Sequence, residues 1–351
     1  MHIPFISFYP GPSQIHSQIK TIYEEAFEQN ITGYNHRSSY FIEIIKNCRT
    51  HLFQKLNVPQ DYQLGFLSSA TEAWSCIANS FTNIPATFFY NGSFGEKWYQ
   101  VHNSSNKNTS GIPFGINHIL PYSTLPNINQ QIIGICQSET SNGSMVSNEI
   151  LKEIRTQYPD ALIAVDATSS MAGVELDFSN ADIWFASVQK CFGLPAGLCV
   201  LVMSPRVVEY ASTRNNPTNM YDLYDKASIF QTIHTPNTIN IYALGALMAQ
   251  SADISTIHKN TSLKASLWNN YLKENNLQTI CTNPETVSET VFCISYDSEK
   301  IDHLLKSCYN NGFMLGKGYG AWAKNTFRIA NFPALEVEQI VALQKVLSTV
   351  L

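Results

Sequence analysis

Short apolar runs alternate with stretches of helical spacing through the first two thirds of the chain. The spacing predicts helices over 14–29, 40–56, 71–81, near 94–102 and over 148–158. Between them lie strand-like runs at 62–67, 86–90, 131–136, 161–165, 182–187 and 198–203. Most of these are short and apolar, as strands covered on both faces are. Such alternation is the grammar of an open α/β sheet, mostly parallel and flanked by helices. After about residue 252 the pattern changes. A long helix over 255–274, strands over 290–296 and 326–330, a helix over 299–310 and a last helix from 335 onward predict a compact α+β unit. The stretch 103–110 is the most loop-like, and there is no internal repeat.

Composition narrows the reading. The 351 residues suffice for two domains, and 44% hydrophobic with 14% charged residues is globular and slightly charge-poor. A net charge of −5 argues against a nucleic-acid partner. Met1-His2-Ile3-Pro4-Phe5 has no charged region leading into an apolar run, so no signal peptide is expected. No uninterrupted apolar run reaches the ~18 residues of a membrane span. The eight cysteines form no C-x-x-C pattern, and Cys199 among others sits in an apolar run. They are expected to be buried free thiols of a cytoplasmic protein rather than disulfides or metal ligands.

The chemistry concentrates between Ala161 and Gly197, ALIAVDATSSMAGVELDFSNADIWFASVQKCFGLPAG. One apolar strand ends in Asp166, followed by a small-residue turn containing Thr168. A second ends in Ser187-Val188-Gln189-Lys190 before a Gly/Pro loop. Ligands of open α/β sheets sit outside the carboxyl ends of the strands, where both residues are expected. A lysine and a carboxylate so placed suit pyridoxal phosphate (PLP). The amine must be neutral part of the time to condense with the aldehyde, and burial beside a cation favours that. The carboxylate keeps the pyridine nitrogen protonated. The bland alternative is a turn aspartate and a solvated lysine.

Other segments add to this. Ser68-Ser69-Ala70-Thr71-Glu72-Ala73-Trp74 follows a strand and opens a helix, where backbone N–H groups and the helix dipole favour an anion. The same segment would also serve as an ordinary N-cap. Phe94 follows a strand and is a candidate to stack on a ring. Thr140 lies in Glu139-Thr-Ser-Asn-Gly143 and could reach the ring hydroxyl. His234-Thr235-Pro236-Asn237-Thr238 offers hydroxyls for a phosphate. Each of these taken alone is more often a polar loop or core residue.

Together the segments resemble the class-V aminotransferases of PLP fold type I. The order is that family's: Ala70-Thr71, Phe94, E-T-S-N-G, Asp166, Gln189-Lys190, then H-T-P-N-T. The resemblance implies a large domain over 12–252 with a mostly parallel central sheet, and a smaller α+β domain formed by 1–11 and 253–351. It implies PLP carried by Lys190, with contacts from Ala70, Thr71, Phe94, Thr140, Asp166, Thr168, Gln189 and Thr235. The Thr235 loop would cross a two-fold axis, so a homodimer with shared sites is implied.

Within the family, the members acting on phosphoserine are the most similar. Phe8-Tyr9-Pro10-Gly11-Pro12 resembles their N-terminal element, and His36-Arg37-Ser38 the motif that meets substrate phosphate. Arg328-Ile329-Ala330-Asn331 resembles the segment whose arginine holds the substrate carboxylate, for which a guanidinium fork is suited. The expected activity is phosphoserine:2-oxoglutarate transamination, as in serine biosynthesis. A second His-Arg pair usual in such enzymes is absent from 316–324, where Lys317 or Lys324 is the available cation. Three alternatives stay open: an alanine– or serine–glyoxylate type transaminase, a related lyase or desulfurase, and a non-catalytic binding protein.

Overall fold

The computed structural model describes residues 5–125, 131–211 and 219–351. Met1–Pro4, assigned by the sequence to the smaller domain, lie outside the described residues. The strands are β1 (Ile6–Phe8), β2 (Gln63–Leu67), β3 (Ala86–Tyr90), β4 (Thr109–Pro113), β5 (Ile132–Cys136), β6 (Ser138–Glu139), β7 (Ser144–Met145), β8 (Leu162–Asp166), β9 (Ile183–Ser187), β10 (Cys199–Met203), β11 (Val291–Ser295), β12 (Phe313–Lys317) and β13 (Thr326–Ala330). The helices are α1 (Ile19–Glu28), α2 (Ser39–Leu56), α3 (Ala70–Ser80), α4 (Ser93–Ser105), α5 (Asn148–Gln157), α6 (Val207–Tyr210), α7 (Met220–Ser228), α8 (Thr238–Gln250), α9 (Ile254–Glu274), α10 (Ile301–Asn310) and α11 (Val337–Val350).

The central sheet has seven strands in the order β2-β10-β9-β8-β5-β3-β4. Only β10 runs against its neighbours, β2 and β9. β9, β8, β5, β3 and β4 pair in parallel. Every residue of β8, β9 and β10 is buried, which explains why these strands read as apolar runs without alternation. Two apolar clusters cover the faces: Ile133, Val165 and Trp184 belong to one, Phe88, Leu162 and Phe185 to the other. A second sheet, β1-β12-β13-β11, packs with α9, α10 and α11. Among the described residues no helix is long and apolar enough to cross a membrane.

The departures from the sequence reading have tertiary causes. Helix α1 begins at Ile19 rather than near residue 14, because Gln14 accepts from the Ser7 N–H (2.9 Å) and the His16 N–H donates to the Gly193 carbonyl (2.8 Å). Part of the loop-like 103–110 stretch enters β4, a half-exposed edge strand whose polar residues give no apolar run. Strands β1 and β12 were not legible, since each is short and takes its extended form from pairing with the other. All eight cysteines are free, and all but Cys136 are buried.

Candidate active site

The carboxyl ends of the parallel strands open into a cavity of about 210 Å³. β2 delivers Ser69, Ala70 and Thr71; β5 delivers Cys136, Ser138 and Thr140; β8 delivers Asp166 and Thr168; β9 delivers Ser187, Gln189 and Lys190. Phe94 enters from the first turn of α4, Arg328 from β13, and Tyr9, Pro10, Gly11 and Tyr319 complete the wall. The sequence-selected Ala70, Thr71, Phe94, Thr140, Asp166, Thr168, Gln189, Lys190 and Arg328 thus meet in one place.

Lys190 follows β9 in a turn that Gly193 closes at φ +64°, its N–H donating to the Lys190 carbonyl (2.9 Å). The ammonium is buried. It donates to Thr140 Oγ1 (2.7 Å) and Ser169 Oγ (3.0 Å) and lies 5.2 Å from the centre of the Phe94 ring. Burial lowers its pKa, while Asp166, Cys136 and Glu139 partly offset that by favouring the charge. The opposite wall is set by Gly11, at φ +127°: a Cβ there would stand 2.7 Å from Lys190 Cε.

Asp166 is the last residue of β8 and is 4% exposed. One oxygen accepts from the Trp74 indole N–H (3.0 Å), the other from the Thr168 N–H (3.0 Å). Burial raises its pKa; the Thr168 contacts, Lys190 and Trp74 pull the other way. Thr168 Oγ1 lies close enough to favour the Asp166 charge but makes no well-aligned hydrogen bond of its own. Helix α3 starts beside this carboxylate. Ser69 Oγ caps it by accepting from the Glu72 N–H (3.1 Å), and Ser187 Oγ accepts from the Ala70 N–H (2.8 Å).

Phe94 is fixed by the buried Glu139. That carboxylate accepts from the N–H groups of Phe94 (3.1 Å), Gly95 (3.0 Å) and Ser141 (3.0 Å), so it charges and caps the start of α4. Tyr319 stacks on Phe94, 5.2 Å between centroids and 10° between planes.

Arg328 is 3% exposed. Its Nε donates to the Lys317 carbonyl (2.9 Å) and its Nη1 to the Thr140 carbonyl (3.0 Å). Among the described residues no carboxylate forms an ion pair with it. Burial lowers its pKa; Tyr9, Cys293, Glu139 and Tyr319 offset part of that. A buried guanidinium fork without a counter-charge is a site for an arriving carboxylate.

Five expected residues are not brought into this cavity. Lys317 points away and pairs with Asp302 (2.8 Å), because alternation along β12 puts its side chain on the exposed face; only its carbonyl serves Arg328. Lys324 is exposed. His36, Arg37 and Thr235 gather elsewhere: Arg37 Nη1 donates to Gln231 (3.0 Å), and burial, then the charges of Arg37 and His234, lower the His36 pKa. Thr235 stands exposed beside His234. Trp74, Ser169, Tyr9 and Tyr319 were not assigned from sequence. Two of these stood in segments that the sequence marked: Trp74, in the first turns of α3, and Tyr9, in Phe8-Tyr9-Pro10-Gly11-Pro12.

Pyridoxal phosphate asks a site for an amine, a carboxylate, an aromatic face and an anion cradle. The donor set here is a buried amine at Lys190, a buried carboxylate at Asp166, the Phe94 ring, and the N-terminus of α3 with small residues Ser69 and Ala70. These residues fit the cofactor.

Comparison with known proteins gives the same direction. The family model described as aminotransferase class-V matches residues 10–321. A phosphoserine aminotransferase of Rhodococcus jostii is 25% identical over 358 residues, covering 95% of this chain and 92% of the relative. The crystal structure of a phosphoserine aminotransferase from Cytophaga hutchinsonii is similar at TM-score 0.91 and 30% identity, with 98% of each chain covered. That of an alanine–glyoxylate aminotransferase from Nostoc shares the fold at TM-score 0.85 and 18% identity, covering 100% of this chain and 96% of the other. The chain belongs to the class-V aminotransferase family and is a pyridoxal-phosphate-dependent transaminase.

Proposed function

We propose that the transaminase acts on an amino acid with an anionic side chain, phosphoserine first, with 2-oxoglutarate as amino acceptor. The observation that carries an amino-acid substrate is Arg328: a buried guanidinium, unpaired by any carboxylate among the described residues, in the cavity that holds Lys190 and Asp166, where it suits an α-carboxylate. The names of the relatives at 25 and 30% identity support phosphoserine as the partner of that cavity.

Each residue has a role in this reading. Ala70, Thr71 and the α3 N-terminus take the cofactor phosphate. Asp166, backed by Trp74 and Thr168, would hold the ring nitrogen of the cofactor, and Gln189, Thr140 and Phe94 would line its ring. When bound, the cofactor supplies an electron sink for the charge left at the substrate α-carbon. Arg328 holds the α-carboxylate by two N–H donors and so orients the α-hydrogen. Lys190 Nζ takes that proton and returns it, a role its lowered pKa suits. The buried walls exclude water from the transfer.

His36, Arg37 and Thr235 serve the site of a second subunit. Their gathering on one surface outside their own cavity supports a homodimer with shared sites, as do the exposed Phe27, Tyr34, Tyr40 and Ile229 of the same region of the chain. The division into 12–252 and 1–11 with 253–351 is supported by the separation of the seven-stranded sheet from the four-stranded one. The cytoplasm suits a chain with eight free cysteines.

A desulfurase needs a mobile, exposed cysteine near the carboxylate site. Cys293, which pairs with Arg328 across β11 and β13, is fully buried and pushed up to about 11.

The test is an absorbance spectrum of the purified protein with phosphoserine, alanine and glutamate added separately, and Lys190→Ala as control. Phosphoserine is expected to convert the ~410–430 nm band of the bound cofactor to one near ~330 nm, and alanine not. A band that ignores phosphoserine but answers alanine would overturn the substrate reading.

A further inference from the structure

Lys97 lies on the exposed face of α4, one turn after Phe94, and no ion pair holds it among the described residues. Its ammonium donates to Tyr319 Oη (2.5 Å) and stands 4.7 Å from the centre of the Tyr319 ring and 6.0 Å from that of Phe94. Arg328 faces the same Tyr319 ring at 5.4 Å. Phe94 and Tyr319 both line the cavity. One ring of the cavity wall therefore faces two cations: Arg328, buried, and Lys97, exposed. The loop that presents Tyr319 is held at Gly320, whose φ is +58° and where a Cβ would meet Ser93 Oγ at 1.9 Å. The position of Tyr319 is thus a property of the backbone.

We infer that Lys97 determines substrate specificity: it reads the anionic group at the far end of the amino-acid side chain, and Tyr319 is the positioning residue that holds it beside the cavity wall. The inference rests on the proposed preference for anionic side chains and deepens it. Lys317 is spoken for by Asp302, whereas the partners of Lys97 among the described residues are a phenol and two ring faces. The exposed end of Lys97 stays open to an incoming phosphate or carboxylate. As a compact point charge it fits the many-oxygen headgroup of a phosphate without demanding fork geometry. A small neutral amino acid held at Arg328 carries no second anionic group for it to read.

The test uses the holoenzyme and compares half-reactions with phosphoserine, glutamate and alanine in the wild type, Lys97→Ala, Lys97→Arg and Tyr319→Phe. Lys97→Ala is expected to lower kcat/KM for phosphoserine by about 30- to 100-fold, mostly through KM, and to leave alanine within about threefold. Lys97→Arg should restore most of the loss. Tyr319→Phe keeps the stacked ring and removes the hydroxyl, and should give a smaller loss of the same kind. If Lys97→Ala slows phosphoserine and alanine equally, or slows neither, the inference is overturned while the substrate reading stands. If the wild type ignores phosphoserine but takes glutamate, the substrate reading fails, and the glutamate-to-alanine ratio in Lys97→Ala decides the inference by the same criterion.

Discussion

Trp74 and Asp166 are 92 positions apart in the chain, yet the indole N–H donates to the buried carboxylate at 3.0 Å. The bond leaves Asp166 able to carry charge in a place where burial opposes it. Trp74→Phe keeps the ring and removes the donor. A hydrogen bond to a charged group contributes about 1.5–3 kcal/mol, so cofactor affinity should fall by about tenfold or somewhat more. Asp166→Asn removes the charge itself and should lower affinity and turnover much further. Titration of the apo variants with PLP, followed by absorbance, measures both. Equal losses in the two variants would mean that the carboxylate charge is not what holds the ring.

Gly11 allows Lys190 its position. Its φ of +127° is a conformation L side chains rarely adopt, and a Cβ would meet Lys190 Cε at 2.7 Å. Gly11→Ala is expected to fold with a midpoint a few degrees lower, at a cost of about 1–2 kcal/mol, and to lose at least about tenfold in kcat. Circular dichroism melts beside half-reaction rates separate the two effects. Full activity in the alanine variant would show that the lysine tolerates a shifted wall.

At Arg328 the fork matters as well as the charge, because Nε and Nη1 are committed to the Lys317 and Thr140 carbonyls. Arg328→Lys keeps a cation and gives up that bracing. KM for the amino acid should rise about 10- to 100-fold for lysine and further for Arg328→Ala, with the cofactor spectrum of the resting enzyme unchanged. A changed resting spectrum would place the arginine on the cofactor instead.

His258, on α9, lies between Glu289 (2.9 Å) and Glu175 (3.5 Å), so it ties the C-terminal segment to the loop after β8. The hydrogen bond that its Nε2–H donates to Glu289 raises its pKa above the ordinary 6.5, with Glu175 adding to that against burial. A histidine raised on folding stabilises the native state fully below pH ~6.5, and that contribution is lost as pH rises through the folded value. The melting midpoint should therefore fall as pH increases above about 6.5, and His258→Gln should flatten that slope. Parallel slopes in the two proteins would remove the histidine from the account.

The sequence by itself determined the α/β alternation, the buried strands and the placing of Asp166 and Lys190 at strand ends. Those are local facts: a strand covered on both faces must be apolar throughout, and a parallel strand presents its ligand residues just past its last apolar position. The order of motifs along the chain was likewise enough to find the family. Helix α1 began late and β1, β4 and β12 went unread because their backbones are shaped by partners far along the chain. Tertiary structure alone decided that Trp74 meets Asp166, that Tyr319 stacks on Phe94, and that no carboxylate among the described residues pairs with Arg328. It alone turned Lys317 outward to Asp302 and brought Lys97 to Tyr319, and it gathered His36, Arg37 and Thr235 away from their own cavity. Periodicity records how deeply a residue is buried. Which buried or surface group it meets depends on packing between elements, and no local pattern carries that.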